Sequence, residues 1–190
     1  MATPSDTPQR ILDIAERLVQ TRGFNGFSYA DIAEAMNVTK ASLHYHFRAK
    51  ADLGKSLIQR YERNFLAALA GIDDATKDAR EKLRRYAAIY GSVLQDDRMC
   101  LCGMLAAEFG TLPDAMRTEM RHYFDANERW LAGVLKQGKK DKTLKFAGSP
   151  AETAQALIGS LEGAMMIARS YGDPARFKAV SDRLLSGMAA

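Results

Sequence analysis

The stretch Asn37-Val38-Thr39-Lys40-Ala41-Ser42-Leu43-His44-Tyr45-His46-Phe47 gathers one cation, two hydroxyls, a tyrosine and two of the chain's three histidines. Hydroxyls, lysine, tyrosine and the amides of a helix N-terminus are groups that bind phosphate oxygens. Other candidate groups are sparser. His44 and His46 are two residues apart, so on a helix they point about 200° from each other and do not share a metal. His122 and Asp125 lie one turn apart, a spacing common by chance. The sequence contains no phosphate-cradling glycine loop, no HExxH and no Cys/His set at metal spacing. We therefore expect no enzyme, no cofactor and no metal site; an all-helical enzyme or small-molecule carrier is the distant alternative.

The composition frames those residues. A net charge of +4 and a pI near 9.1 permit an anionic partner without proving one. No apolar run approaches the roughly 20 residues of a membrane span. The polar start MATPSDTPQR has no apolar core, and the only cysteines, Cys100 and Cys102, are too close to staple a fold. A reduced, cytoplasmic setting is expected, with no membrane partner.

Positioning falls to helices almost throughout. Thr7-Pro8 reads as an N-cap with proline following. Ile11, Ile14, Ala15, Leu18 and Val19 then share a face, and Gly23 ends the helix. Phe24 and Phe27 plug a core. Ser28 caps a second helix and Asn37 suits its left-handed close. Thr39 caps a third, with Val38 and Leu43 at staple spacing. Two short helices across a tight turn form a helix-turn-helix. Leu43 and Phe47 point inward on the third helix, Ala41 and Tyr45 outward, and Ser42, His44 and Arg48 flank them. From Lys40 to Arg63 there are six basic residues (Lys40, Arg48, Lys50, Lys55, Arg60, Arg63) against two acidic (Asp52, Glu62).

Further amphipathic helices are expected at about 49–70 and 75–94, and from Pro113 through Leu135. Lys136 to Lys145, with five lysines, reads as a solvated loop. Ser149-Pro150-Ala151-Glu152 is a capping box that starts another helix, and Asp173-Pro174 starts the last. These two C-terminal helices suggest a homodimer interface through Leu157, Leu161, Gly159, Gly163, Phe177, Val180 and Leu184.

The segment "ILDIAERLVQTRGFNGFSYADIAEAMNVTKASLHYHFRAKADL" (11–53) resembles the DNA-binding domain of the TetR family of transcriptional regulators. The resemblance implies an all-α fold: an N-terminal three-helix DNA-binding domain (1–52) and a larger helical regulatory and dimerisation domain (53–190). It implies a homodimer on a double-stranded DNA operator. By matching position, Thr39, Lys40, Ala41, Ser42, Tyr45, His46 and Lys50 form the DNA-facing set, joined by His44, which stands where many members carry tyrosine. It also implies a pocket for a small-molecule effector, to which Tyr86, Tyr90, Met104, Phe109, Tyr123, Trp130 and Met165 are assigned. The leading expectation is a ligand-released repressor. The alternative is a thiol-based repressor sensing oxidants or electrophiles through Cys100 and Cys102, since "CLCGMLAAEF" resembles a family subgroup in which some members use cysteine this way. Small core residues are the simpler role for both.

Overall fold

The computed structural model describes residues 7–190. Among them are nine α-helices and no strand. Two compact units emerge: Met1–Arg63 with Leu101–Tyr123, and Asn64–Cys100 with Phe124–Ala190. The expected boundary at 52/53 lies inside a helix that contributes to both units.

The first unit begins with α1 (Thr7–Arg22), which already includes Thr7 as a helical residue and not as its cap. Ile11, Leu12, Ala15 and Val19 are buried. Gly23 adopts φ 81°, and its N–H closes the helix on the Val19 carbonyl at 2.9 Å. Phe24 and Phe27 are buried edge to face, 6.0 Å apart. α2 (Tyr29–Met36) starts at a capping box in which Ser28 and Asp31 each accept the other's backbone N–H. Asn37 ends it in the left-handed region, at φ 54°. α3 (Lys40–His46) follows from the Thr39 cap, whose hydroxyl accepts the Ser42 N–H at 3.3 Å. Leu43 anchors α3, while Phe47 is only half-buried and Val38 is exposed.

α4 (Lys50–Ala75) is clamped to α1 by Arg60, which reaches Asp13 at 2.6 Å and Glu16 at 2.7 Å. α6 (Leu101–Ala107), a 3-10 turn at Phe109–Thr111 and the start of α7 (Asp114–Lys140) complete this unit. Glu108 fastens that segment to the α1–α2 loop. Its carboxylate accepts the N–H groups of Phe24 and Asn25, and Thr111 accepts from the Asn25 side chain at 2.7 Å.

The second unit contains the rest of α4 and α7, with α5 (Ala79–Gln95), α8 (Pro150–Ser170) and α9 (Pro174–Ser186). The first half of the lysine-rich stretch is helical, contrary to the loop expected, because α7 runs on to Lys140; 141–145 is turn and irregular chain. Cations in the last turn of α7 suit the negative end of the helix dipole. Gly138 also lets Leu144 and Ala79 approach where a Cβ would collide, at 2.4 and 2.8 Å. The predicted Ser149–Glu152 box and the Asp173 cap form as expected.

Candidate nucleic-acid interface and regulatory core

The outward face of α3 carries side chains that the fold leaves free. Thr39, Lys40, Ala41 and Tyr45 are exposed, Tyr45 to 85%, and Ser42 and His46 are half-buried. Leu43 alone is fully buried in this helix. The small side chains at 41 and 42 allow close backbone approach, and the donors cluster at the helix N-terminus. The Tyr45 ring stands edge-on to His46 at 5.1 Å.

Two residues in the predicted DNA-facing set have other work inside the fold. Lys50, expected to face DNA, also holds the α1–α2 loop. Its ammonium donates to the carbonyls of Phe24 and Phe27 and lies 4.5 and 4.2 Å from their ring centroids. Desolvation lowers its pKa, against the pull of Glu108 and Asp31. A long cation beside two carbonyl acceptors and two aromatic faces is drawn into the loop and away from solvent. His44 is partly committed too. Its Nδ1 lies 3.1 Å from the Arg48 carbonyl and its ring is 4.7 Å from Tyr29. Since a carbonyl only accepts, Nδ1 carries the proton and Nε2 is the free edge. Tyr29 in turn donates to the Phe47 carbonyl at 2.9 Å, and burial pushes its pKa up to about 12.

The expected dimer set also divides. Leu157, Leu161 and Phe177 are buried within their own unit, packed among α5, α8 and α9, so they belong to the protomer core. Val180 is exposed and Leu184 half-buried. Gly159 and Gly163 face open space, with nothing within 4 Å of an added Cβ. Helical spacing missed Met166, Ile167 and Tyr171, which are 54%, 57% and 64% exposed. Together with the glycines and Val180 they make an apolar outer surface on α8 and α9.

The predicted ligand residues separate between the units. Met104, Phe109 and Tyr123 lie in the first. Phe109 sits in the exposed 3-10 turn with Arg117 and Arg121 over its ring at 5.1 and 5.4 Å. Tyr123 is buried against Tyr61 at 5.5 Å. Tyr86, Tyr90, Trp130 and Met165 lie in the second unit. There Tyr86 meets Tyr90 at 5.4 Å and stacks on Trp130 at 5.7 Å, with Phe65 edge-on to both tyrosines. Trp130 also lines a cavity of about 270 Å³ with Asp73, Lys77, Lys82 and Arg129. Its Nε1–H donates to Asp73 at 2.8 Å.

Two polar members of this core escaped the sequence pattern. Asn127 is fully buried; it accepts from the Tyr86 hydroxyl at 2.8 Å and donates to the Tyr90 oxygen at 3.1 Å. Glu162 is the other. The capping and periodicity signals of α8 had no place for a carboxylate on the inner face. Yet 158, 162 and 165 share a face at helical spacing, and Ile158 and Met165 are both buried. Burial raises the Glu162 pKa to about 7, opposed by the neighbouring Cys100 thiol. Burial also pushes the Tyr86 and Tyr90 hydroxyls far up, helped by the Glu162 charge.

Cys100 and Cys102 are reduced and buried, 2% and 0% exposed. Small core residues therefore describe both in this conformation.

Residues 11–57 match the family of bacterial regulatory proteins, tetR family, and residues 79–184 match the tetracyclin repressor-like C-terminal domain. The crystal structure of a TetR-family transcriptional regulator from Agrobacterium tumefaciens superposes with a TM-score of 0.95, at 32% identity, over 99% of this chain and 100% of that one. The transcriptional repressor NemR of Escherichia coli (strain K12) is 27% identical, across 89% of this chain and 88% of its own. The transcriptional repressor DhaR of Mycobacterium sp. (strain GP1) is 26% identical, across 83% and 80%. With both family models matched over most of the chain and a regulator of 32% identity covering 99% of it, the chain belongs to the TetR family of DNA-binding transcriptional regulators.

Proposed function

We propose that this protein is a homodimeric, cytoplasmic repressor that leaves a palindromic operator when a small molecule binds its regulatory core. The observation that carries the reading is the free face of α3, with Thr39, Lys40, Ala41, Ser42, Tyr45 and His46 outward while Leu43 holds the helix down. Thr39, Lys40 and Tyr45 fix register on phosphates, and the front of α3 reads base edges in the major groove. His44 contributes through Nε2. Lys50 supports the loop that carries α2 and α3. Relatives named as repressors favour repression over activation.

Dimerisation uses the outer face of α8 and α9: Gly159, Gly163, Met166, Ile167, Tyr171 and Val180. The DNA-reading part spans 1–52 and the regulatory and dimerisation part 53–190. α4 and α7 each contribute to both compact units, so they are the elements through which a ligand in one alters the other. An effector that binds the non-competent dimer better shifts the population off DNA. The lever is the separation of the two α3 helices, which the groove repeat sets at roughly 34–36 Å.

Selection from a random DNA pool tests the reading, using wild type beside a Lys40→Ala/Tyr45→Ala variant. A palindrome enriched by wild type and lost by the folded variant is expected. No enrichment at low salt, from protein that mass spectrometry shows to be ligand-free, would sink the proposal.

A further inference from the structure

Both carboxylate oxygens of Glu162 are enclosed and accept no hydrogen bond of normal geometry. The Cys100 thiol, a weak donor, is the neighbour that favours its charge. Buried acceptors left without donors cost stability, and a native fold rarely carries one without a use. The surroundings are specific. Tyr86 and Tyr90, near enough for the Glu162 charge to act on their hydroxyls, are joined to Asn127 in a closed hydrogen-bond triangle. Trp130 stacks on Tyr86, and Phe65 stands edge-on to both tyrosines. The triangle satisfies its own members and leaves Glu162 out.

We propose that Glu162 and the aromatic cluster of Tyr86, Tyr90, Trp130 and Phe65 form the binding site for a small organic cation, the effector of this regulator. An ammonium group supplies the N–H donors that the carboxylate lacks, and aromatic faces attract a desolvated cation. A neutral ligand offers Glu162 only an uncharged donor, the weaker partner, and an anion repels it. The assignment rests on the effector-release reading for its role and on the Glu162 site for its chemistry.

Isothermal titration of the full chain with n-butylammonium, n-butanol and butyrate tests it, in wild type and Glu162→Gln. Wild type should bind butylammonium saturably, better than butanol, and not butyrate. The glutamine variant should lose about tenfold or more, the scale of one charged hydrogen-bonding partner. Tyr86, Tyr90 and Cys100 are the titratable groups bearing on Glu162, and the tyrosines stay protonated near neutrality. Binding a cation favours the ionised carboxylate, so affinity should rise from pH 6 to pH 8 with proton release visible as buffer-dependent heat. If Glu162→Gln does not fold, this wild-type signature decides. Undiminished binding to the folded variant, equal binding of butyrate, or no saturable butylammonium binding would overturn the site. Operator affinity is read separately. Cation binding that leaves it unchanged overturns the effector role alone, and absent operator binding overturns the regulator reading while the cation site stands.

Discussion

At Glu162 a single side chain carries an energetic cost that can be measured without any ligand. Its pKa rises from the ordinary 4.5 to about 7 in the fold. Between these values the unfolded chain is ionised while the folded one holds its proton. Stability contributed by the neutral carboxyl is therefore full below pH 4.5, falls as pH rises towards 7, and is lost above it. The loss is on the order of 3 kcal/mol at most. Glu162→Gln should melt higher than wild type at pH 8, with the gap closing by pH 5; an equal gap at both would mean that Glu162 is ionised throughout. On α3, Lys40→Ala and Tyr45→Ala should each weaken operator binding while leaving the melting temperature within a degree or two, because both side chains lie outside the core. Lys50→Ala should do the opposite first. It removes the donor shared by the Phe24 and Phe27 carbonyls, so chemical denaturation should show a loss of about 1–3 kcal/mol.

Between elements, Glu108 ties the α6–α7 segment to the α1–α2 loop in the first unit. Replacing it with alanine leaves the Phe24 and Asn25 N–H groups without their acceptor. A loss of roughly 1–2 kcal/mol is expected, below the cost for fully buried donors because water reaches Asn25. Gly23→Ala meets two penalties: a φ of 81° and a Cβ placed 2.7 Å from the Glu108 carboxylate. The φ strain is about 1 kcal/mol and stays in any background. The collision disappears with Glu108, so Gly23→Ala should cost less in a Glu108→Ala protein than in wild type. Urea denaturation of the four proteins measures the coupling; strict additivity would mean that the carboxylate simply moves aside.

For the whole molecule, affinity for DNA depends on presenting two α3 helices together. Ile167→Asp puts a charge in the middle of the exposed apolar face of α8. Sedimentation should show monomer at concentrations where wild type is dimeric, and operator affinity should fall although α3 is untouched. If the variant stays dimeric, the interface lies elsewhere. Specific binding should weaken steeply with salt, since phosphate contacts release counterions. Lys40→Ala should flatten that slope and Ile167→Asp should not.

The sequence by itself determined the helices that have local causes. Ser28 with Asp31, Ser149 with Glu152, Thr39 and Asn37 act through bonds to residues three or four away, so caps and turns were legible without the fold. The outward face of α3 followed from the position of Leu43. Tertiary structure alone decided partnerships between distant segments. Lys50 turns to the α1–α2 loop because two carbonyls and two rings converge there, 23 and 26 residues away. Leu157, Leu161 and Phe177 face inward because α5, α8 and α9 cover them, which leaves Met166, Ile167 and Tyr171 outside. Periodicity identifies an apolar stripe but not which of two apolar sides meets the protomer's own core. Glu162 was invisible for the same reason. A glutamate at helical spacing reads as solvated until the neighbouring helices are in place, and only they remove its water.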